Sequence, residues 1–120
     1  MRSSRDRART SPAVSDPVDE HVQAYNERDL ERFVACFTAD CVIEDAQGTV
    51  LARGHGDLRA HFGRVFKESP HLHCEIVHRS RIGDYVVDEE RITGRVGGDQ
   101  HGVVVSHVSD GLSDHQRFIR

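Results

Sequence analysis

One change of rhythm constrains this chain more than any other feature. Apart from a short strand-like stretch over residues 41–53, its apolar residues recur with a helical period up to about residue 67 and with a strand period beyond residue 71. Asp16-Pro17 reads as an N-cap followed by proline at the first helical position, with Asp19 and Glu20 in the first turn. Behind them Val18, His21, Val22 and Tyr25 fall on one helical face. Asn26-Glu27-Arg28 breaks the pattern, and Asp29 caps a second short helix whose stripe is Leu30, Phe33, Val34 and Phe37. A third stripe, Leu58, His61, Phe62 and Val65, predicts a helix over residues 56–67, stopped by Ser69-Pro70. Between the second and third helices, residues 41–46 alternate and residues 49–53 read as a short strand after the Gln47-Gly48 turn.

Beyond the third helix the chain reads as strand throughout. Residues 71–79, 85–95, 101–109 and 113–120 are separated by Ile82-Gly83-Asp84, Gly97-Gly98-Asp99 and Asp110-Gly111. Such short, glycine-bearing connections join antiparallel neighbours as hairpins. Helices followed by a meander predict an α+β domain, with three N-terminal helices covering one face of an antiparallel sheet.

A length of 120 residues supports one domain with one core, which needs no disulfide or metal to fold. No apolar run approaches the roughly 18 residues of a bilayer span, which excludes a helical membrane protein. The net charge of −4 is unevenly spread: Arg2, Arg5, Arg7 and Arg9 against Asp6 put +3 on residues 1–15, leaving −7 on residues 16–120. An acidic body is a poor partner for nucleic acid, and the basic segment reads as a disordered tail. The tail lacks the apolar region of a secretory signal, so the expected location is cytoplasmic. Cys36, Cys41 and Cys74 form an odd set without CxxC spacing, read as free thiols in a reducing compartment.

Alternation sets Asp45 on the same strand face as Cys41 and Ile43, where its carboxylate would enter an apolar cavity and its pKa would rise. The competing reading makes it the cap of the Ala46-Gln47-Gly48 turn. His21 and Tyr25 share a helix face and offer a neutral imidazole and a phenol as donors, or serve only in packing. With His61, the pair His21 and Asp45 could make a His/His/Asp cluster for acid–base work or, less readily, for a divalent metal. His71 and His73 share a strand face with Glu75 and are expected in solvent or at a subunit interface, and the run Asp88-Glu89-Glu90 must send at least one carboxylate to each face.

The phrase Tyr25-Asn26-Glu27-Arg28-Asp29-Leu30-Glu31-Arg32-Phe33, running into Phe37-Thr38-Ala39-Asp40-Cys41-Val42-Ile43-Glu44-Asp45, resembles the NTF2-like superfamily. Gly54-His55 before the third helix and Asp110-Gly111-Leu112 before the last strand extend the likeness. Within that superfamily the chain is most similar to the SnoaL-like and ketosteroid-isomerase-like proteins. The resemblance implies a cone in which the helices pack on a curved, mixed sheet over residues 16–120. It sets Asp45 at the isomerases' general base and His21 where they carry an oxyanion-hole tyrosine. It sets Ser106, followed by His107, at their second oxyanion donor. Ile43, His61, Phe62 and Ser106 are then the expected ligand contacts, with Asp45, His21 and Tyr25 as the catalytic set. The resemblance also implies a homodimer through the free sheet face, where Ser113 and Gln116 would loosen the edge or wet the interface.

Two functions follow. The first is a small isomerase, cyclase or lyase that moves a proton on a hydrophobic, carbonyl-bearing metabolite, with Asp45 as base and no cofactor or metal. The second is a non-catalytic module that binds a small ligand, or dimerises, on the same cone.

Overall fold

The computed structural model describes residues 16–120; the basic segment 1–15 lies outside the described residues. Asp16 caps α1 (Pro17–Glu27) by accepting from Val18 N at 2.8 Å. The helix ends where Arg28 turns left-handed, with φ 54°. Asp29 then caps α2 (Leu30–Val34), accepting from Arg32 N at 3.3 Å. After β1 (Phe37–Asp45) and β2 (Val50–Arg53), α3 (Gly54–Glu68) completes the helical layer. β3 (His73–Ile82), β4 (Tyr85–Thr93), β5 (Gln100–Ser109) and β6 (Leu112–Ile119) follow as the expected meander. Element order and type agree with the periodicity; most boundaries differ by a few residues, because strand ends depend on partners rather than on local pattern.

The six strands form one sheet in the order β2-β1-β6-β5-β4-β3. Only β1 and β6 run parallel; every other pairing is antiparallel. The β5–β6 connection takes positive φ at both Asp110 and Gly111, the backbone twist that a two-residue hairpin needs.

All three helices bury one stripe against the inner sheet face. Phe33 is the hub, with ring centroids of Phe37, Phe62 and Phe66 at 5.2, 4.6 and 5.7 Å. Around it lie Ala24, Tyr25, Val34, Cys41, Ile43, Leu58 and Val65, all buried. Cys36, Cys41 and Cys74 are buried free thiols.

Alternation decides the rest. Val86, Asp88, Glu90 and Ile92 of β4 face inward and are buried, whereas Glu89 faces outward and meets His101 at 2.7 Å. His73 and Glu75 are exposed, as expected, on the face opposite Leu72 and Cys74. Gln116 is a correction: it is buried on the inner face, its amide donating to Ser106 Oγ at 3.0 Å, and cannot wet an interface on the outer one.

Candidate active site

Between the helices and the inner sheet face the packing leaves a cavity of about 240 Å³. Its apolar wall consists of Val22, Phe33, Leu51, Phe62, Ile92, Val104 and Phe118. Set into that wall are His21 and Tyr25 from α1, His61 from α3, Cys74 from β3 and Glu90 from β4. Gln100, Gln116, Arg120 and Arg95, the last from the β4–β5 connection, complete it. An apolar chamber with a few convergent polar groups is the usual form of a small-molecule site.

Several local devices hold these groups. The Asn26 amide grips the backbone of Cys74 from both sides: its Oδ1 accepts from Cys74 N at 2.6 Å and its Nδ2 donates to Cys74 O at 3.0 Å. This clamp ties the end of α1, and with it Tyr25, to the strand beside Glu90. The loop carrying Arg95 is anchored where Val96 N donates to the buried Ser69 Oγ at 2.8 Å. Arg120 crosses β5 at Gly102, whose register partner on β4 is Glu90. A Cβ at Gly102 would collide with the Ile119 carbonyl oxygen and stand 2.8 Å from Arg120 Cγ, so only glycine leaves room for that crossing.

Burial shapes the electrostatics. Glu90 is 8% exposed, and its carboxyl is held above the usual carboxylate range by burial. The Cys74 thiol, donating to Glu90 Oε2 at 3.4 Å, and Arg120, whose Nη2 is 3.7 Å from Oε1, pull the other way. Burial also drives the Tyr25 phenol upward, so its proton stays on. His21 is pushed down to about 4, chiefly by burial and against the pull of Asp88, so its ring is neutral near pH 7. The Pro17 carbonyl also favours the protonated ring, but Nδ1 makes no well-formed hydrogen bond. The His61 ring is held below its ordinary value by burial and by Arg95. Two buried polar atoms of the cavity residues, His21 Nδ1 and Gln100 Oε1, find no partner among the described residues.

The expected site residues divide into three groups. His21, Tyr25, His61 and Phe62 come together at the cavity. Ile43 is in the core and Ser106 stands behind Gln116, neither lining the chamber. Asp45 has the expected strand face, since its register neighbour on β6 is the cavity residue Phe118. Its Oδ1, however, accepts from Gln47 N and Thr49 N, both at 2.9 Å, and the side chain does not line the cavity. Among the described residues no group of three His, Cys, Asp or Glu side chains is placed to hold a metal ion. The polar residues that sequence reasoning missed are Cys74, Arg95, Gln100, Gln116 and Arg120, together with Glu90 among three equivalent acids. The only sequence signal for Glu90 was that the run 88–90 must turn a carboxylate inward.

Comparison with known proteins places this geometry in context. An uncharacterised cystatin-fold protein from Novosphingobium aromaticivorans superposes with a TM-score of 0.80 at 24% identity, over 87% of this chain and 95% of the other. A proposed polyketide cyclase from Sinorhizobium meliloti gives 0.74 at 19%, over 87% and 94%. A protein of ketosteroid-isomerase-like fold from Catenulispora acidiphila, solved in complex with trimethylamine, gives 0.70 at 18%, over 91% and 85%. At these identities the likeness establishes the fold. None of the curated proteins matches the chain. The SnoaL-like domain matches residues 18–113, from the first residue of the α1 stripe into β6, and on that match the chain belongs to the SnoaL-like family.

Proposed function

We propose that this protein is a cofactor-independent proton-transfer enzyme, of the isomerase, cyclase or lyase type, acting on a hydrophobic carbonyl compound bound in the cavity. The single observation that carries the reading is the convergence of a buried carboxyl, Glu90, with a phenol and a neutral imidazole inside an apolar chamber. A carboxyl whose pKa is raised toward the working pH is suited to taking a proton from carbon. Tyr25, kept protonated, and the neutral His21 ring are the donors for the enolate oxygen that develops as the proton leaves.

The resemblance to the isomerases would give the base role to Asp45. We assign it to Glu90, because Glu90 lines the cavity while Asp45 Oδ1 is engaged by two backbone amides of its own turn. The fold likeness to the proposed polyketide cyclase and to the trimethylamine-bound protein supports a small-molecule role for the chamber. Hydrogen–deuterium exchange at the α-carbon of 2-tetralone, followed by NMR in D2O, tests the reading. Exchange well above the buffer rate is expected; a rate equal to buffer would contradict it.

A homodimer through the outer sheet face belongs to the same proposal. Val42, Val87, Val103 and Val105 are only half-buried there, and Tyr85 is exposed. Sedimentation at micromolar concentration should report a dimer, and a monomer would contradict this part.

A further inference from the structure

The charges in the cavity do not balance. Arg95 and Arg120 both line it, whereas Glu90 is the only acidic side chain in the lining. Arg120 meets Glu90 at 3.7 Å, a loose pairing beyond hydrogen-bond reach. Arg95 has no carboxylate partner among the described residues; one of its guanidinium nitrogens, Nη1, donates to the Val96 carbonyl at 2.8 Å. Arg120 also sits over an aromatic ring, its guanidinium carbon 4.5 Å from the Phe118 centroid. Two guanidinium groups beside one carboxyl leave an excess positive charge on a largely apolar chamber, and with the Arg120 side chain 31% exposed that charge is open to an incoming anion.

We infer that the compound this cavity takes is an apolar carboxylic acid, its carboxylate bound by Arg95 and Arg120 and its hydrocarbon body lying against Phe33, Phe62 and Val104. The inference deepens the proton-transfer reading by naming the substrate class, and rests on that reading for the word substrate. The planar guanidinium fork matches a carboxylate in a way that a lysine would not. One bound carboxylate would bring the two arginines and an ionised Glu90 to neutrality. Mutual repulsion supports the case: burial and the neighbouring Arg95 both disfavour the charged form of Arg120, and Glu90 offsets them only in part. Gly102 supports it from the backbone, being the gap through which Arg120 reaches the chamber.

Calorimetric titration of the full chain with naphthalene-2-carboxylate and naphthalene-2-carboxamide tests the inference, since the two share one ring system and differ in charge. The carboxylate is expected to bind about tenfold tighter or better. Arg95→Gln and Arg120→Gln should each remove most of that preference while changing carboxamide affinity less than about twofold. Arg120→Lys, which retains the charge without the fork, should keep part of it, and an unchanged amide NMR spectrum outside the cavity would show that each variant folds. Equal affinity for the two compounds, no binding of either, or arginine variants that weaken both alike would overturn the inference. If 2-tetralone is exchanged and the carboxylate is not preferred, the substrate class fails and the proton-transfer reading survives. If the carboxylate is preferred through the arginines and no exchange occurs, the anion site stands and the catalytic reading fails.

Discussion

His21 illustrates how much one side chain's meaning depends on what surrounds it. In the sequence it was a polar member of an apolar stripe, equally suited to packing and to chemistry. In the fold its ring lies 5.7 Å from Phe33 and 5.9 Å from Phe37, centroid to centroid, and its Nδ1 has no partner among the described residues. The consequence is measurable as pH-dependent stability. An unfolded His21 takes up its proton near 6.5, whereas the folded ring does so only near 4. Between those values the unfolded state binds more protons, so stability is lost as pH falls through that window, by about 1.4 kcal/mol per pH unit. Urea unfolding at several pH values should show a steeper loss of stability over this window in the wild type than in His21→Gln, the difference being the His21 contribution. An identical slope in both would contradict the buried, neutral ring. Glu90 shows the opposite limit on legibility. Asp88, Glu89 and Glu90 are equivalent in the sequence, and only the register of β4 against its neighbours turns two of them inward. A shift of one residue would have exchanged their faces.

At the scale of elements, the helices were legible because each signals itself locally. Asp16 and Asp29 cap where expected, and most of the residues that the helical period selected are buried; Val22, Leu30 and His61 are only half-buried, and Phe37, read as the end of the second stripe, opens β1 instead. The parallel pairing of β1 with β6 was not legible in this way, because nothing in residues 37–45 points to a partner at the far end of the chain. The Asn26 clamp was likewise invisible: in sequence Asn26 only interrupts a helical pattern, yet its amide joins α1 to β3 by two hydrogen bonds. Removing both should cost about 2 kcal/mol, since Cys74 would keep an unpaired backbone donor and acceptor. Asn26→Ala should therefore lower the urea midpoint with an unchanged m-value, and Asn26→Asp, which sets a carboxylate oxygen against the Cys74 carbonyl oxygen, should not restore it. Full stability in Asn26→Ala would contradict the clamp.

For the molecule as a whole, the sequence pattern and the family resemblance converged on the α+β cone, while the contents of the cone emerged only in three dimensions. Its chamber draws on α1, α2, α3 and five strands, with Arg95 and Arg120 entering from outside the regular elements. No local periodicity reports such an assembly. The resemblance led to Asp45, and the fold gives that residue a turn to cap and gives Glu90 the chamber. On the proposed reading, the working carboxyl is the one inside. Rates of 2-tetralone α-hydrogen exchange in the wild type, Glu90→Gln and Asp45→Asn put this to the test, and the asparagine amide oxygen of the second variant would preserve the acceptor that the turn amides need. Exchange at the buffer rate is expected for Glu90→Gln and near-wild-type exchange for Asp45→Asn. Exchange that persists in Glu90→Gln and disappears in Asp45→Asn would contradict the assignment and return the chemistry to the rim of the cone.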